Sequence, residues 1–286
     1  MGPFAAIRAH HESARITLLT TRPYAAFAAA SPYFDEVWID DKPKLWQFRR
    51  VLALRARLEG GRFDRVYDLQ TSDRSSFYFR LLGGGTEWSG IARGCSHPHA
   101  NPDRDRLHTL ERQAEQLRQA GIADVPRPDL SWVEADIGRF NLPDRFVLLV
   151  AGGAPHRPGK RWPAAAYAAL AGRLLGEGLT PVLLGTGQDR TQTETIVSAC
   201  PEAVDLSERT SFPDIAALAR KARGAVGNDT GPMHLIAAAG CPSLVLYSRA
   251  SDPALCAQRG EAVSIVRTAV LDALPVDEVR AALRLR

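Results

Sequence analysis

Cysteine is scarce in this chain and shows no metal-binding or disulfide pattern. Among 286 residues there are 4 cysteines, scattered along the chain without a CxxC pair or the paired Cys and His spacing of a zinc finger. This spacing suits reduced thiols inside the fold better than a zinc site or a disulfide framework. The cysteines are Cys95, Cys200, Cys241 and Cys256.

Long apolar runs and a leader sequence are also lacking. No stretch reaches the roughly 18 consecutive apolar residues that a membrane-spanning helix needs. The first residues do not show the basic, apolar and small-residue succession of a signal peptide. The sequence therefore predicts a cytoplasmic protein without a membrane span.

Lysine is rare, so the positive charge of the chain comes from arginine. The formal net charge is +4 and the sequence pI is about 9.0, while the only lysines are Lys42, Lys44, Lys160 and Lys221. Arginine favours two-pronged contacts with phosphates and carboxylates, so an anionic substrate or lipid head group fits, although a generally arginine-rich composition explains the excess equally well. No basic run is interleaved with aromatic residues, so we predict no nucleic-acid partner.

Motifs of hydrolytic and metal-dependent catalysis are missing. There is no GxSxG nucleophile elbow and no HExxH spacing anywhere in the chain. Hydrolase functions are therefore disfavoured, and no metal is predicted.

What the sequence does contain is a regular alternation of apolar runs and helical stretches. This alternation is typical of an α/β fold with doubly wound parallel sheets. The predicted strands are residues 15–20, 36–39, 65–69, 146–150, 181–185, 224–227 and 243–247, and the predicted helices include 45–58, 107–120, 164–175, 213–222 and 276–285.

The periodicity breaks between residues 121 and 145. Pro126, Pro128, Gly138 and Pro143 interrupt this stretch, which has no sustained helical or strand pattern. We therefore predict two domains, residues 1–142 and 143–286, with a cleft between them. Ligands of such sheets bind beyond the carboxyl ends of the strands.

The beginning of the chain differs from that of an ordinary doubly wound domain. A helix-like segment at residues 3–11 precedes the first predicted strand, whereas such domains usually begin with their central strand. We expect that the first strand and its loop are missing, because a parallel sheet without a central strand exposes backbone and apolar surface. The alternative is a domain that simply begins with a helix.

The most informative motif lies at residues 227–234, between a predicted strand and a predicted helix. Asp229 or Thr230 can cap the helix, and the helix N-terminus that follows can bind an anion such as a diphosphate. His234 falls in the first turn, where the helix dipole opposes protonation, so it can serve as a neutral hydrogen-bond donor. An ordinary helix cap and a structural histidine explain the same residues, and the motif by itself does not decide between the two.

Two other loops follow strand ends in the second domain. The loop 152–163 ends in a cationic tip with Lys160, but it is not a P-loop, because Ala154 and Arg161 replace a required glycine and the Ser or Thr. Lys160 can pair with a phosphate as a point charge, or it is an exposed lysine. Asp189 follows the strand 181–185 and can accept hydrogen bonds from a ribose, although a helix-cap role is the simpler interpretation.

In the first domain, the polar loop 68–76 follows a strand and can face an acceptor molecule. His97, His99 and His108 lie in a loop-rich stretch with several arginines. We interpret this stretch as a solvated surface.

The second domain resembles the heptosyltransferases, the family 9 glycosyltransferases. Four elements match in order: the loop 152–163 with its Lys-Arg-Trp-Pro end, the turn 183–189, the segment 206–211 before a helix, and the stretch 228–235 with the pattern Asp-Thr-Gly-x-x-His. The resemblance covers most of residues 145–247 and extends more loosely over the first domain.

This resemblance implies a GT-B fold, in which two Rossmann-like doubly wound domains face each other across a cleft. The first domain would hold the acceptor, and the second would hold a nucleotide sugar, with ADP-heptose as the favoured donor. Residue by residue, Lys160 would contact the diphosphate and Asp189 the ribose. The diphosphate and the sugar would be held by Asp229, Thr230, Gly231 and His234. Members of the family invert the anomeric centre without a metal or cofactor, and the acceptor would be an anionic glycan or glycolipid at the inner leaflet of the cell membrane, with which the protein would associate peripherally.

The resemblance also places the family's general base in a Gly-Asp loop that would precede Met1. No catalytic residue is therefore assigned within the chain. Besides a heptosyltransferase of lipopolysaccharide biosynthesis, two alternatives stay open: a nucleotide-sugar-binding protein without turnover, and a sugar-nucleotide epimerase of the same fold.

Overall fold

The computed structural model describes residues 1–286 and divides into two compact units, Met1–Pro128 and Asp129–Arg286. The division lies before the boundary near residue 143 that the proline and glycine pattern predicted. The reason is that residues 129–142 pack on the second unit. Arg220 donates hydrogen bonds to the carbonyl oxygens of Leu130 and Val133, and Phe140 belongs to a core of that unit.

The second unit is built around one sheet of six parallel strands in the order β11-β10-β9-β6-β7-β8. The strands are β6 (Phe146–Val150), β7 (Thr180–Leu183), β8 (Val204–Asp205), β9 (Gly224–Asn228), β10 (Ser243–Tyr247) and β11 (Val263–Arg267). The connecting helices are α6 (Ala164–Gly176), α7 (Arg190–Ala199), α8 (Phe212–Lys221), α9 (Gly231–Ala238), α10 (Pro253–Cys256) and α11 (Val276–Ala282).

Helices cover both faces of this sheet, which explains why its strands are continuous apolar runs. In β6, Val147 and Leu149 pack into one core with residues of α6, α7 and α11, while Leu148 and Val150 pack into a second core with α8 and α9. Every residue of β6 is buried. A parallel strand with both faces covered has no polar side, so the unit has the doubly wound arrangement that the sequence predicted.

The first unit contains two separate parallel sheets. One pairs β1 (Thr17–Thr20) with β2 (Glu36–Ile39), and the other has the order β3-β4-β5. These three strands are β3 (Arg65–Tyr67), β4 (Glu87–Gly90) and β5 (His97–Pro98), and the helices are α1 (Gly2–His10), α2 (Arg22–Ala29), α3 (Phe48–Gly60), α4 (Asp73–Leu82) and α5 (Thr109–Gln119). Across the whole chain, no helix combines the length and apolar character that crossing a membrane requires.

Candidate functional site

The strand order of the second unit reverses beside β6. From β6 the chain runs outward through β7 and β8, then returns to β9 on the other side and continues to β10 and β11. Loops that leave the carboxyl ends of β6 and β9 therefore diverge, and such a switch point is where open α/β sheets bind ligands. The loop 151–163 and the start of α9 both lie at this point.

Asn228 holds these two loops together, and the sequence analysis gave it no role. It is the last residue of β9 and is fully buried. Its Nδ2 donates to the carbonyl oxygens of Ala151 and Gly152 at 2.8 and 3.0 Å, and its Oδ1 accepts from the Trp162 backbone N–H at 3.0 Å and the Tyr167 hydroxyl at 3.2 Å. Only an amide offers both donors and acceptors in this arrangement, so Asn228 determines the path of the loop 151–163.

Lys160 and Asp229 form an ion pair at this edge of the sheet. Lys160 Nζ lies 2.7 Å from Asp229 Oδ2, and both side chains are largely buried. The other carboxylate oxygen, Oδ1, accepts from the Tyr247 hydroxyl at 3.1 Å and from Gln258 Nε2 at 3.2 Å. The structure thus brings together two residues that the sequence analysis assigned to separate loops, and it adds Tyr247 and Gln258, which that analysis missed.

The electrostatics of the pair keep Asp229 ionised. Burial raises the pKa of Asp229, but the hydrogen bond and the charge of Lys160 oppose this effect, and the net pKa lies below the ordinary value. Burial, followed by the negative charge of Asp229, raises the pKa of Tyr247, so the Tyr247 hydroxyl remains a donor. A charged carboxylate with three donors is therefore built in before any ligand arrives.

Helix α9 begins without the side-chain cap that the sequence predicted. Thr230 occupies the N-cap position, but neither Asp229 nor Thr230 accepts a hydrogen bond from the helix backbone. Asp229 is instead committed to Lys160, Tyr247 and Gln258, and the buried Thr230 Oγ1 has no hydrogen-bond partner. Since the first N–H groups of a helix have no intrahelical partners, they remain available at the exposed Gly231.

Asp189 lies at the neighbouring strand end and is mostly enclosed by protein. Its Oδ1 accepts from the Gly153 backbone N–H at 3.2 Å, and its Oδ2 accepts from the backbone N–H and hydroxyl of Thr186 at 3.0 and 2.9 Å. Asp189 occupies the N-cap position of α7, but its side chain accepts no hydrogen bond from that helix. It points back toward Thr186 and forms a capping box with it at the short 3-10 turn that precedes α7. The structure therefore shows Asp189 shaping the Gly152–Gly153 backbone.

Gly153 connects the Asp189 side of the site to the α9 side. A methyl group on Gly153 would lie 3.7 Å from Thr230 Cγ2 and 3.4 Å from Arg161 Nε. Arg161 donates to the Gly153 carbonyl oxygen and lies 4.0 Å from Asp189 Oδ1. Arg161, to which the sequence analysis gave no binding role, is thus a largely buried cation of the site. His234 is exposed and lies in the first turn of α9.

In the first unit, the prediction of a solvated surface around the histidines is wrong for two of them. His99 and His108 are buried, and His99 Nε2 lies 3.8 Å from Glu115 Oε2. Helix α5 covers this stretch, which a local pattern could not indicate. The Asp68 carboxylate at the end of β3 is also buried and accepts from the Thr71 backbone N–H at 2.9 Å, and burial raises its pKa.

No group of three or more His, Cys, Asp or Glu side chains has an arrangement suited to a metal ion. The charged groups that meet at the switch point are Lys160, Arg161, Asp189 and Asp229. The arrangement can bind an anion through cations and backbone N–H groups, and it can accept hydrogen bonds from hydroxyl groups through Asp229.

Comparison with known proteins shows that most of the chain is similar to one family of enzymes. Residues 51–272 match the family model of glycosyltransferase family 9 (heptosyltransferase). A lipopolysaccharide heptosyltransferase 2 from Salmonella typhimurium is 28% identical over 213 residues, which cover 66% of this chain and 61% of that relative. The match therefore spans about three-fifths of the length of that relative.

Solved structures agree on the fold. An ADP-heptose lipopolysaccharide heptosyltransferase II from Escherichia coli has a TM-score of 0.79 at 20% identity, covering 98% of this chain and 92% of that one. The E. coli heptosyltransferase WaaC, solved with ADP, has a TM-score of 0.76 at 19% identity, covering 98% and 93%. These likenesses confirm the predicted GT-B class of α/β fold.

Proposed function

Because the chain belongs to glycosyltransferase family 9, the heptosyltransferase family, we propose that it is an inverting glycosyltransferase that moves a heptose from ADP-heptose to a glycan acceptor of the lipopolysaccharide-core type. The observation that carries this proposal is the buried Lys160–Asp229 pair beside the uncapped start of α9. A diphosphate linked to a sugar needs both cationic donors and an acceptor for hydroxyl groups, and this edge of the sheet offers both.

The diphosphate would bind between Lys160 and the N-terminus of α9. Lys160 has three N–H donors, and its hydrogen bond to Asp229 uses one of them. The backbone N–H groups at Gly231, the Thr230 hydroxyl and the His234 imidazole would complete the anion site. Gly231 has no neighbouring atom within 4 Å of the place of a Cβ, so a phosphate group can approach the backbone there.

Asp229 would hold Lys160 in place and accept hydrogen bonds from the sugar hydroxyls. Because the Asp229 carboxylate already orients the ammonium group, little reorganisation is needed when negative charge develops on the departing diphosphate. Asp189 would act on the ribose side, by holding the Gly152–Gly153 backbone in position. The leaving ADP would be stabilised electrostatically while the acceptor hydroxyl attacks the opposite face of the anomeric carbon.

The ADP reported in the E. coli WaaC structure supports an adenine nucleotide as the donor half. The names of the curated relatives, lipopolysaccharide and lipooligosaccharide heptosyltransferase 2, support an acceptor of the same class. We assign no general base; Asp68, which is buried and accepts from the Thr71 backbone N–H, is not proposed for this role.

Isothermal titration calorimetry with ADP, ADP-heptose, UDP and GDP tests the donor site. We expect ADP and ADP-heptose to bind without added metal, and Lys160→Ala to weaken binding about 10- to 100-fold, because it removes a charge-assisted hydrogen bond worth about 1.5 to 3 kcal/mol. Asp229→Asn should weaken ADP-heptose binding more than ADP binding, since the sugar hydroxyls lose a charged acceptor. Lys221→Ala, at an exposed lysine of α8, is the matched control and should bind like the original chain.

A folded protein that binds none of the four nucleotides would overturn the proposal. Transfer of the sugar to a lipopolysaccharide-core acceptor can be measured by mass spectrometry. Tight binding of ADP-heptose without such transfer would indicate a nucleotide-sugar-binding protein without turnover. Conversion of the donor without an acceptor would indicate an epimerase.

A further inference from the structure

The Asp229 carboxylate stands beside the start of α9 and yet leaves this helix start open. Asp229 directly precedes Thr230, the N-cap residue, whose side chain makes no capping hydrogen bond. A carboxylate is attracted to the unpaired N–H groups and the positive end of the dipole at such a helix start. Elsewhere in the second unit, Asp252 accepts from the Ala254 N–H of α10 at 3.1 Å, and Asp214 completes the capping box of α8. Asp229 behaves differently, so its surroundings hold it away from α9.

Two buried neutral side chains bind the carboxylate oxygen of Asp229 that Lys160 does not use. Tyr247 is the last residue of β10, and Gln258 lies shortly after α10; they are 0% and 2% exposed. The Tyr247 hydroxyl lies 3.1 Å from Asp229 Oδ1, and Gln258 Nε2 lies 3.2 Å from the same oxygen. Because one carboxylate oxygen accepts about two hydrogen bonds, these two donors saturate Oδ1.

The two donors also support each other. Gln258 Oε1 lies 2.9 Å from the Tyr247 hydroxyl, which has a single proton to donate. Gln258 Nε2 donates to Asp229 whichever acceptor the hydroxyl proton takes. The opposite orientation of the amide would set Oε1 against the carboxylate, with two acceptors in contact. Asp229 therefore keeps a neutral donor on Oδ1 in either state of the hydroxyl.

Lys160 by itself would not hold Asp229 in place while a ligand binds. Its ammonium group bonds to Asp229 Oδ2 and is also the cation that we assign to the diphosphate. Once a phosphate is bound, two anions attract the same ammonium group, and its hold on Asp229 weakens. A hydroxyl and an amide carry no net charge, so a bound phosphate does not draw them away from the carboxylate.

We infer that Tyr247 and Gln258 are positioning residues that keep the Asp229 carboxylate out of the anion site at the start of α9. The inference rests on the proposed function, in which this helix start binds the diphosphate of a nucleotide sugar. Without the two donors, the Asp229 side chain would turn to the first N–H groups of α9. An internal carboxylate would then compete with the diphosphate for the same backbone donors.

Titration calorimetry with ADP on the double variant Tyr247→Phe/Gln258→Met tests the inference. Both substitutions remove hydrogen-bonding groups and keep nearly the same side-chain volume. We expect ADP to bind about 5- to 30-fold more weakly, the effect of one carboxylate on a partly buried helix N-terminus. Tyr78→Phe is the matched control, because it removes a buried hydroxyl that donates to the Asp40 carboxylate in the first unit at 2.8 Å. It should bind ADP like the original chain.

Removal of the competing carboxylate separates this mechanism from a loosened fold. Adding Asp229→Ala to the double variant should restore ADP affinity at least about fivefold, because no internal anion remains at α9. In the original chain the same substitution should not improve ADP binding, since Asp229 already lies outside the anion site. A loosened fold would gain nothing from a further substitution in the same network.

Hydrogen–deuterium exchange in the first turn of α9 gives a second signal, measured without ligand. A carboxylate that bonds to these N–H groups should slow their exchange in Tyr247→Phe/Gln258→Met, whereas a loosened site would exchange faster. A thermal unfolding transition verifies that the double variant is folded. If it does not fold, the single variants Tyr247→Phe and Gln258→Met should each show a smaller change in the same direction, in both ADP affinity and exchange.

Unchanged ADP affinity in the folded double variant would refute the inference, and so would a loss of affinity that Asp229→Ala does not restore. Faster exchange at α9 would limit Tyr247 and Gln258 to a structural role. A failure of the proposed function looks different, because the original chain would then bind no ADP. The exchange measurement would still show in that case whether Asp229 turns to α9.

Discussion

At the scale of single residues, the buried side chain of Asn228 holds two loops of the second unit together. Its amide makes four hydrogen bonds inside the protein and joins the end of β9 to the loop after β6. The same loop carries Lys160, so the position of the ammonium group depends on an amide that no ligand needs to touch.

We predict that Asn228→Asp destabilises the protein although the two side chains have nearly the same size. The second carboxylate oxygen would face the carbonyl oxygens of Ala151 and Gly152, to which the amide now donates. The expected loss is about 2 to 4 kcal/mol in the free energy of unfolding, measured by urea denaturation. A loss under about 0.5 kcal/mol, typical of a surface substitution, would contradict the role assigned to this amide.

Substitutions at two glycines of the site should have different effects, one on the stability of the protein and the other on ADP binding. A Cβ at Gly152 would lie 2.6 Å from Asp189 Oδ2, whereas a Cβ at Gly231 meets no atom within 4 Å. We predict that Gly152→Ala lowers the thermal unfolding midpoint, because the Asp189 carboxylate must leave its bonds to Gly153 and Thr186. Gly231→Ala should leave the midpoint unchanged and weaken ADP binding, because its methyl group occupies the approach to the α9 N-terminus. Unchanged ADP affinity in Gly231→Ala would argue against a diphosphate at this helix start.

At the scale of elements, helices α8 and α9 both have a hydroxyl residue at the N-cap, but only α8 is capped by it. Helix α8 begins with a capping box, in which Ser211 Oγ accepts from the Asp214 N–H at 3.3 Å and the Asp214 carboxylate accepts from Ser211. Helix α9 begins with Thr230, which makes no such bond. A closed cap stabilises a helix, while an open one leaves backbone donors for a ligand.

We predict that Ser211→Ala lowers the free energy of unfolding by about 1 kcal/mol, the usual effect of removing an N-cap hydroxyl. Urea denaturation measures this loss. Ser198→Ala, at an exposed position inside α7, is the control and should be neutral or slightly stabilising, since alanine is the better helix former. Equal effects of the two substitutions would show that the capping box contributes little.

The sequence analysis missed four strands, β4, β5, β8 and β11, and the first three of these are short and contain polar residues. The strands β4, β5 and β8 have between two and four residues, with Glu87, His97 and Asp205 among them. Each of these short segments is a strand because a neighbouring strand pairs with it. Its own sequence has no hydrophobic periodicity that would predict a strand. The long apolar strands β6 and β10 were predicted at their observed bounds, because burial on both faces requires apolar residues at every position.

At the scale of the whole molecule, the buried His99 and the half-buried His11 of the first unit link stability to pH. Burial is the largest cause that lowers the pKa of His99, and the neighbouring charges of Arg104 and Arg112 act in the same direction, against Glu115. Burial also lowers the pKa of His11. The unfolded chain therefore binds more protons than the folded one as the pH falls below the ordinary histidine pKa of about 6.5.

We predict that the free energy of unfolding decreases between pH 7.5 and pH 5.5, and that His99→Gln reduces this slope by up to about 1.4 kcal/mol per pH unit, the limit for one proton. Part of the slope should remain, because His11 contributes in the same sense. Urea denaturation at several pH values measures it. A slope that is identical in His99→Gln would mean that His99 does not carry the effect.

The sequence by itself determined the α/β pattern, the buried strands of the second unit and the motif by which the family is identified, because propensity, periodicity and short motifs are local properties. Only the tertiary structure decided which side chains meet. Lys160 and Asp229 are 69 positions apart and pair because the strand order puts β6 beside β9. Asp229 bonds to Lys160 and so leaves α9 uncapped, and α5 buries His99. Both outcomes depend on which elements become neighbours in the fold and on the free-energy cost of enclosing a polar group without a partner.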